Sequence, residues 1–462
     1  MLERYIGNRD FYRRVSAVAI PIIVQNLITN FVSLLDNIMV GQIGTVQMSG
    51  VSIVNGLIFI FYLCVYGGCA GAGIFTAQFH GSEDHEGIRY TFRFKLIVAT
   101  LLSALAVGVF LLADEPLIGL YLQGEGEAAV AQQTMDYGKT YLAVMLVGLL
   151  PFALSNAYAG TLRECGQTVV PMVAGIVAVL TNLALNYVLI FGHFGAPAMG
   201  VTGAAVATVI SRFVELGIVV IWTHLHSKAH PFIQGAFRSL YIPAPLFRSV
   251  VTKGMPLLVN ECLWATGMAF LNQCYSTCGL DIMPALNIAV VITDLSSVTF
   301  RALGNTVGII IGQMLGAGES EDNLWDSNRK LTALCIASGI TFALLMACVS
   351  GLFPRLYNTT DSVQELATGL ILICACIMPL QAYIFPVYFT MRAGGKTVTT
   401  FLFDCGSIWL LTMPLAFCLS RFTDLPILPL YAICQGTDLI KCVIGYLMLR
   451  SGSWIQNLAA KS

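Results

Sequence analysis

Charge is scarce in this sequence. Only 11% of its 462 residues are Asp, Glu, Lys or Arg, against about 25% in a soluble domain of average usage. Hydrophobic residues make up 57% and the mean hydropathy is +0.78, which excludes a soluble globule. A GxxxxGK[ST] phosphate loop is missing, so ATP coupling within the chain is not expected. HExxH is missing as well, and no other catalytic constellation appears. The first 14 residues are polar and basic, and the apolar run after them is too long for a signal core, so no cleavable signal peptide is expected. The apolar runs are continuous rather than alternating, which argues against a β-barrel. The 14 cysteines scatter mostly through these runs, and Cys274 and Cys278 lack partners at metal-ligand spacing. They read as small buried apolar residues. The 6 histidines are dispersed, and His80, His85, His224, His226 and His230 read as solvated at or near one membrane face.

Long apolar runs are what the chain does have. A membrane helix needs ~20 mainly apolar residues. Twelve such runs occur, at approximately 15–40, 51–78, 93–113, 137–160, 169–191, 203–226, 250–274, 285–315, 331–353, 363–390, 401–419 and 427–449. With the N-terminus placed inside, eighteen Lys and Arg fall on inner segments and only Lys139, Arg355 and Arg421 on outer ones. That asymmetry predicts two cytoplasmic termini.

The chain also repeats itself. At an offset of 235, Pro21 matches Pro256, Asn37 matches Asn272, Gly73 matches Gly308, Gln78 matches Gln313 and Gly81 matches Gly316. Later the offset is 229: Arg163 matches Arg392, Gly166 matches Gly395, Thr168 matches Thr397 and Arg212 aligns with Lys441. Six spans precede a basic loop at about 227–249 and six follow it. The expected organisation is an N-lobe at 1–226, a cytoplasmic linker at 227–249 and a C-lobe at 250–462. Two halves of the same topology, related by an axis along the membrane normal, are a transporter architecture.

Polar side chains inside the spans mark candidate sites, because a charge at the bilayer centre costs about 2.5–3.5 kcal/mol on insertion scales. Asp36 falls in the outer third of the first span, Asn182 and Asn186 in the outer half of the fifth, and Thr208 in the outer half of the sixth. Asn182 and Asn186 are four apart and share a helix face. Four oxygen-bearing side chains at one depth suit a small cation, since hard cations choose oxygen, and a lone carboxylate can instead take a proton. Hydrogen bonding between helices is the alternative for the two asparagines and the threonine. Pro21 precedes Asp36 by 15 residues and is expected to bend the same helix. In the second half, Glu261 lies near mid-membrane without an obvious partner in its span. Asp294 and Arg301 are seven apart on one face and are expected to pair, Asp404 lies near the inner end of its span, and Asp438 with Lys441 and Arg212 with Glu215 have the spacing of pairs within a helix.

These residues carry a resemblance. The stretches "PIIVQNLITNFVSLLDNIMVGQIG", "GAGIFTAQFHG", "LRECGQTVVPM", "APAMGVTGAAVATVISR", "GMPLLVNE" and "IIIGQMLGAG" resemble the multidrug and toxic compound extrusion (MATE) family over nearly the whole chain. The resemblance implies an all-α polytopic membrane protein with twelve transmembrane helices in two pseudo-symmetric six-helix lobes, V-shaped around a central cavity. It implies a cation-coupled antiporter, driven by Na+ or H+, that exports organic and often cationic compounds by alternating access, with no cofactor beyond the coupling ion. The coupling cation, Na+ if a metal, falls to Asp36, Asn182, Asn186 and Thr208; the Asn–Asn pair leaves one carboxylate there. A second cation site of one branch of the family maps to Glu261 and to Gln381, where that branch has aspartate. Glu261, Asp294, Arg301 and Gln381 are thus candidates for substrate binding or coupling. The alternative is a flippase of lipid-linked oligosaccharide or a related lipid, with Arg212, Arg301 and Lys441 facing pyrophosphate. Expected partners are small organic substrates and membrane lipids, without nucleic acid. The expected form is a monomer in the cell membrane.

Overall fold

The computed structural model describes residues 5–122, 128–279 and 281–461; within them the side chains of Ser33, Leu34, Asp36, Asn37, Ala128 and Lys461 lie outside the description. Apolar runs of this length fold as helices because a lipid environment leaves backbone polar groups no partner outside their own segment. The long helices are α1 (Arg9–Gly41), α2 (Thr45–Gly81), α3 (His85–Gly119), α4 (Ala128–Glu164), α5 (Val169–Phe191), α6 (Val201–Leu225), α7 (Ala244–Ser276), α8 (Ile282–Gly316), α9 (Glu321–Val349) and α10 (Asp361–Ala393). The chain continues through α11 (Thr397–Phe401), α12 (Met413–Phe422), α13 (Ile427–Gly436) and α14 (Asp438–Arg450). No strand occurs among the described residues.

Among the described residues, eleven stretches are long and apolar enough to cross a membrane, counting Thr397–Phe422 and Ile427–Arg450 as one each. The twelfth long helix is α7, whose 33 residues include Asn260, Glu261, Asn272 and Gln273 and are correspondingly more polar. α11 and α12 are joined by two π-helical turns, Leu402–Gly406 and Ile408–Thr412, whereas α5, their equivalent in the repeat, is an unbroken α-helix. Large apolar side chains stand on the outside, with Leu112 89% and Leu410 74% exposed. A bilayer solvates such a surface and water does not.

Contacts divide the chain into two compact units: Val24–Thr76 with His85–Arg248, and Met1–Ile23 with Ala77–Asp84 and Ser249–Ser462. In the first, Val54, Ile58, Val65, Leu142, Leu149 and Ala205 form the core, and α6 packs on both α4 and α5. The segment after α6 belongs to this unit. Arg93 on α3 donates to the carbonyls of Gly235 (2.8 Å), Ala236 (2.8 Å) and Tyr241 (2.9 Å), and Phe232, Ile233 and Ala236 are buried. The same fold-back buries His230 beside Trp222, ring centroids 5.3 Å apart. His230 is therefore not solvated, in contrast to the sequence expectation, while His224 and His226 are exposed.

In the second unit, the first turns of α1 place Val15 and Ala19 against Leu303, Val307 and Ile311 of α8. α10 packs against both α8 and α9, which also touch each other. The last turns of α2 and α8 touch reciprocally: a Cβ on Gly81 would lie 1.9 Å from the Gln313 carbonyl oxygen, and one on Gly316 would lie 1.8 Å from that of Gln78. Only glycine admits such backbone approach. These are repeat-related residues, so the duplication read from the sequence is expressed here as a two-fold contact.

Candidate functional site

Five helices of the first unit surround a cavity of about 310 Å³. α1 contributes Gln25, Asn26, Thr29 and Val32; α2 contributes Tyr62 and Tyr66; α4 contributes Phe152, Asn156, Ala159 and Arg163. α5 adds Gly175, Ala178, Val179 and Asn182, and α6 adds Thr208, Ser211, Arg212 and Glu215. Steps of three and four keep each set on one helix face. Small residues at Ala159, Gly175 and Ala178 leave the space open. Thr208 and Glu215 are seven residues apart, about 10 Å along the helix, so the cavity has two chemically distinct ends.

One end holds a chain of hydrogen bonds. Asn186 Nδ2 donates to Asn182 Oδ1 (3.2 Å), and Asn182 Nδ2 donates to Thr208 Oγ1 (3.1 Å). Thr208 in turn donates to the Ala204 carbonyl one turn back (3.0 Å). Asn186 is fully buried, whereas Asn182 and Thr208 reach the cavity. Asn182 Oδ1 and Thr208 Oγ1 each accept one bond here and each has a second lone pair, the neutral oxygen chemistry that suits a small hard cation. The Asp36 side chain lies outside the described residues, and α1 carries that position in its last two turns. α1 continues as helix through Pro21.

The other end is basic and aromatic. Arg212 Nη1 pairs with Glu215 Oε2 at 3.2 Å, one turn along α6. The guanidinium lies 5.2 Å from the Phe152 ring centroid and 5.8 Å from that of Tyr62, and these two rings are 4.0 Å apart. Among the described residues, Arg212 Nε is buried without an acceptor, as is Asn156 Nδ2. Arg163 lines the same end and has no ion-pair partner among the described residues.

The second unit has its own polar cluster. Asp404, on the first π-helical turn, accepts from Asn260 Nδ2 (3.0 Å) and pairs with Lys441 Nζ (3.4 Å). The sequence spacing suggested Lys441 with Asp438 instead. The lysine reaches across to the neighbouring segment, and Asp438 accepts from Gln381 Nε2 at 3.5 Å. Arg301 and Asp294 do pair, at 3.2 Å, but both are nearly half exposed. Glu261 is half-buried on α7, and no hydrogen bond joins it to Gln381. The structure thus brings Asn182, Asn186 and Thr208 together and pairs Asp294 with Arg301, while Gln381 bonds to Asp438.

Sequence reasoning missed Tyr62, Asn156, Arg163 and Gln25 as cavity residues. A signal existed in the repeat. Gln25 and Asn260 differ by 235, while Gly175 and Asp404, like Arg212 and Lys441, differ by 229. The Asn260–Asp404–Lys441 cluster is therefore the counterpart of Gln25, Gly175 and Arg212 in the cavity.

Membrane-length helices in two sequence-related halves, with a polar cavity held inside a helical unit, define a polytopic membrane transporter. The chain belongs to the MatE family, whose model matches residues 21–188 and 256–418; it is an efflux transporter and not an enzyme. Its relatives include the probable multidrug resistance protein NorM of Thermotoga maritima, 25% identical over 452 residues, spanning 96% of this chain and 93% of the relative. Multidrug resistance protein PmpM of Pseudomonas aeruginosa is 24% identical over 424 residues, 90% of this chain and 86% of the relative. A solved outward-facing multidrug resistance MATE family transporter of the MOP superfamily shares the fold with a TM-score of 0.84 at 17% identity, covering 98% of this chain and 97% of that one.

Proposed function

We propose that this chain exports small organic compounds, drugs among them, from the cytoplasm in exchange for Na+ or H+. Both termini then face the cytoplasm, and the oxygen end of the cavity lies toward the outside. The observation that carries the reading is the Asn186–Asn182–Thr208 hydrogen-bond chain opening on the cavity. These three residues, with Asp36 on α1, are the set in which a cation would find a carboxylate and neutral oxygens together. A cation drives such a cycle only through its different affinity for the two access states, so its site must change between them. α1 carries both Asp36 and Pro21 and is the element whose rearrangement would make that change.

Asp36→Asn should abolish cation-driven efflux while leaving a folded, monodisperse protein. The measurement is uptake of a fluorescent organic substrate into proteoliposomes under a sodium gradient or a proton gradient, imposed separately. Undiminished transport by the variant under both gradients would sink the proposal, and the gradient that drives the wild type identifies the ion.

A further inference from the structure

We infer that the basic end of the cavity recognises a negatively charged oxygen group, such as a carboxylate, on the exported compound, with an aromatic body against Tyr62 and Phe152. This rests on the export reading for its biological sense, but not for its physical argument. It also departs from the cationic cargo that the family resemblance implies.

The protein contains its own template for the interaction. In the second unit the basic residue Lys441 meets a carboxylate, Asp404, across the helix boundary at 3.4 Å, and Asn260 donates to that carboxylate's other oxygen at 3.0 Å. In the first unit the repeat places Arg212 where Lys441 stands and Gln25 where Asn260 stands. Gly175 takes the position of Asp404. The cation and the amide are retained and the carboxylate is deleted. What remains beside Gly175 is cavity lined by all three residues, with the Gln25 amide reaching to 2.6 Å from where a Cβ would stand.

The unmet donors agree. Glu215 engages Arg212 through Nη1, and among the described residues the buried Nε has no acceptor. Asn156 Nδ2 is a second buried donor without one, and Arg163 brings a further positive charge with no counter-ion among the described residues. Buried donors left without acceptors are costly, and a guanidinium edge matches a carboxylate with two parallel bonds. The tilted Tyr62–Phe152 pair beside the guanidinium supplies a wall for a flat apolar group. Asn182 lies about two turns from Gly175 on α5 and Thr208 about one turn from Arg212 on α6, so a coupling cation and an anionic group occupy neighbouring places and need not compete for one.

The test is equilibrium binding to the purified protein of 2-naphthoate, its methyl ester and 2-naphthylmethylammonium, three probes of similar size and different charge. The wild type should bind the carboxylate about tenfold or more tighter than either of the others, the ratio expected for charge-assisted bonds of this kind. Gly175→Asp restores the template's carboxylate and should remove that preference. The atoms nearest a Cβ at Gly175 all belong to the flexible Gln25 side chain, the amide nitrogen at 2.6 Å, Cδ at 3.3 Å and Cγ at 3.4 Å, so that side chain must move aside. Gly175→Ala, which adds bulk without charge, should keep the preference, and Arg163→Gln and Arg212→Gln should each weaken carboxylate binding by about tenfold. Equal or tighter binding of the ammonium probe overturns the inference. So does a carboxylate preference that survives both Gly175→Asp and Arg163→Gln. Binding is read without any membrane gradient: lost efflux with intact carboxylate preference counts against the export reading alone, and normal efflux without the preference counts against this inference alone.

Discussion

At the scale of single residues, stability and site chemistry depend on how each buried charge is matched. Lys95 is 1% exposed on α3 and is held by Glu164 and by the Thr161 hydroxyl (3.1 Å) on α4. Glu164→Gln should lower the unfolding free energy by about 3 kcal/mol, since removing one partner leaves the other charge buried and unpaired. Replacing both by methionine should recover most of that loss. Unfolding midpoints of the purified variants decide it: a single variant as stable as the double one refutes the argument. Asn182, Asn186 and Thr208 were legible as a group because helix direction fixes depth once the spans are counted. Arg212 with Glu215 was legible as a spacing of three. Lys441 was misread because that rule counts neighbours on one helix, whereas the lysine's long stem reaches a carboxylate on another.

At the scale of elements, one side chain joins the ends of several segments. Gln78, fully buried in the last turns of α2, donates to the carbonyls of Ala393 (2.8 Å) and Gln456 (3.1 Å) and accepts from the amides of Leu458 (2.6 Å) and Ala459 (3.3 Å). That satisfies both donors and both acceptor positions of the amide. The strap after α14 is thereby fixed to the ends of α2 and α10, with Trp454 completely buried and bonded to the Leu449 carbonyl (3.2 Å). Gln78→Ala should speed amide exchange about tenfold or more across residues 454–459 while α4 and α5 keep their protection, because the loss is local. Unchanged exchange in the strap would contradict it. Gly316→Ala tests the neighbouring crossing: a Cβ there overlaps the Gln78 carbonyl, so it should destabilise the second unit or abolish its folding, as read by unfolding midpoint and yield. The repeat made Gln78, Gly81 and Gly316 visible as matched positions. What they touch was not visible, because the contact joins segments more than two hundred residues apart.

At the scale of the whole molecule, the uneven distribution of Lys and Arg makes a definite prediction about orientation. Single cysteines placed at the two chain ends of a cysteine-free variant should react with an impermeant maleimide in inside-out vesicles and not in intact cells. Labelling in intact cells would reverse the orientation and with it the direction assigned to the cavity's two ends. Helical class, number of spans and duplication were all readable from the sequence, because in a bilayer the solvent penalises every unpaired backbone group and nearly every charge. That penalty leaves long apolar helices as the ready solution and makes each polar exception conspicuous. The structure alone decided which exceptions meet. The cavity is built from residues on five helices, and whether Gly175 is a packing glycine or the floor of a binding site depends on Gln25 and Arg212 arriving beside it. Hydrophobic burial is non-directional, so a pattern of apolar residues specifies that helices pack but not which polar side chains their packing brings within hydrogen-bonding distance.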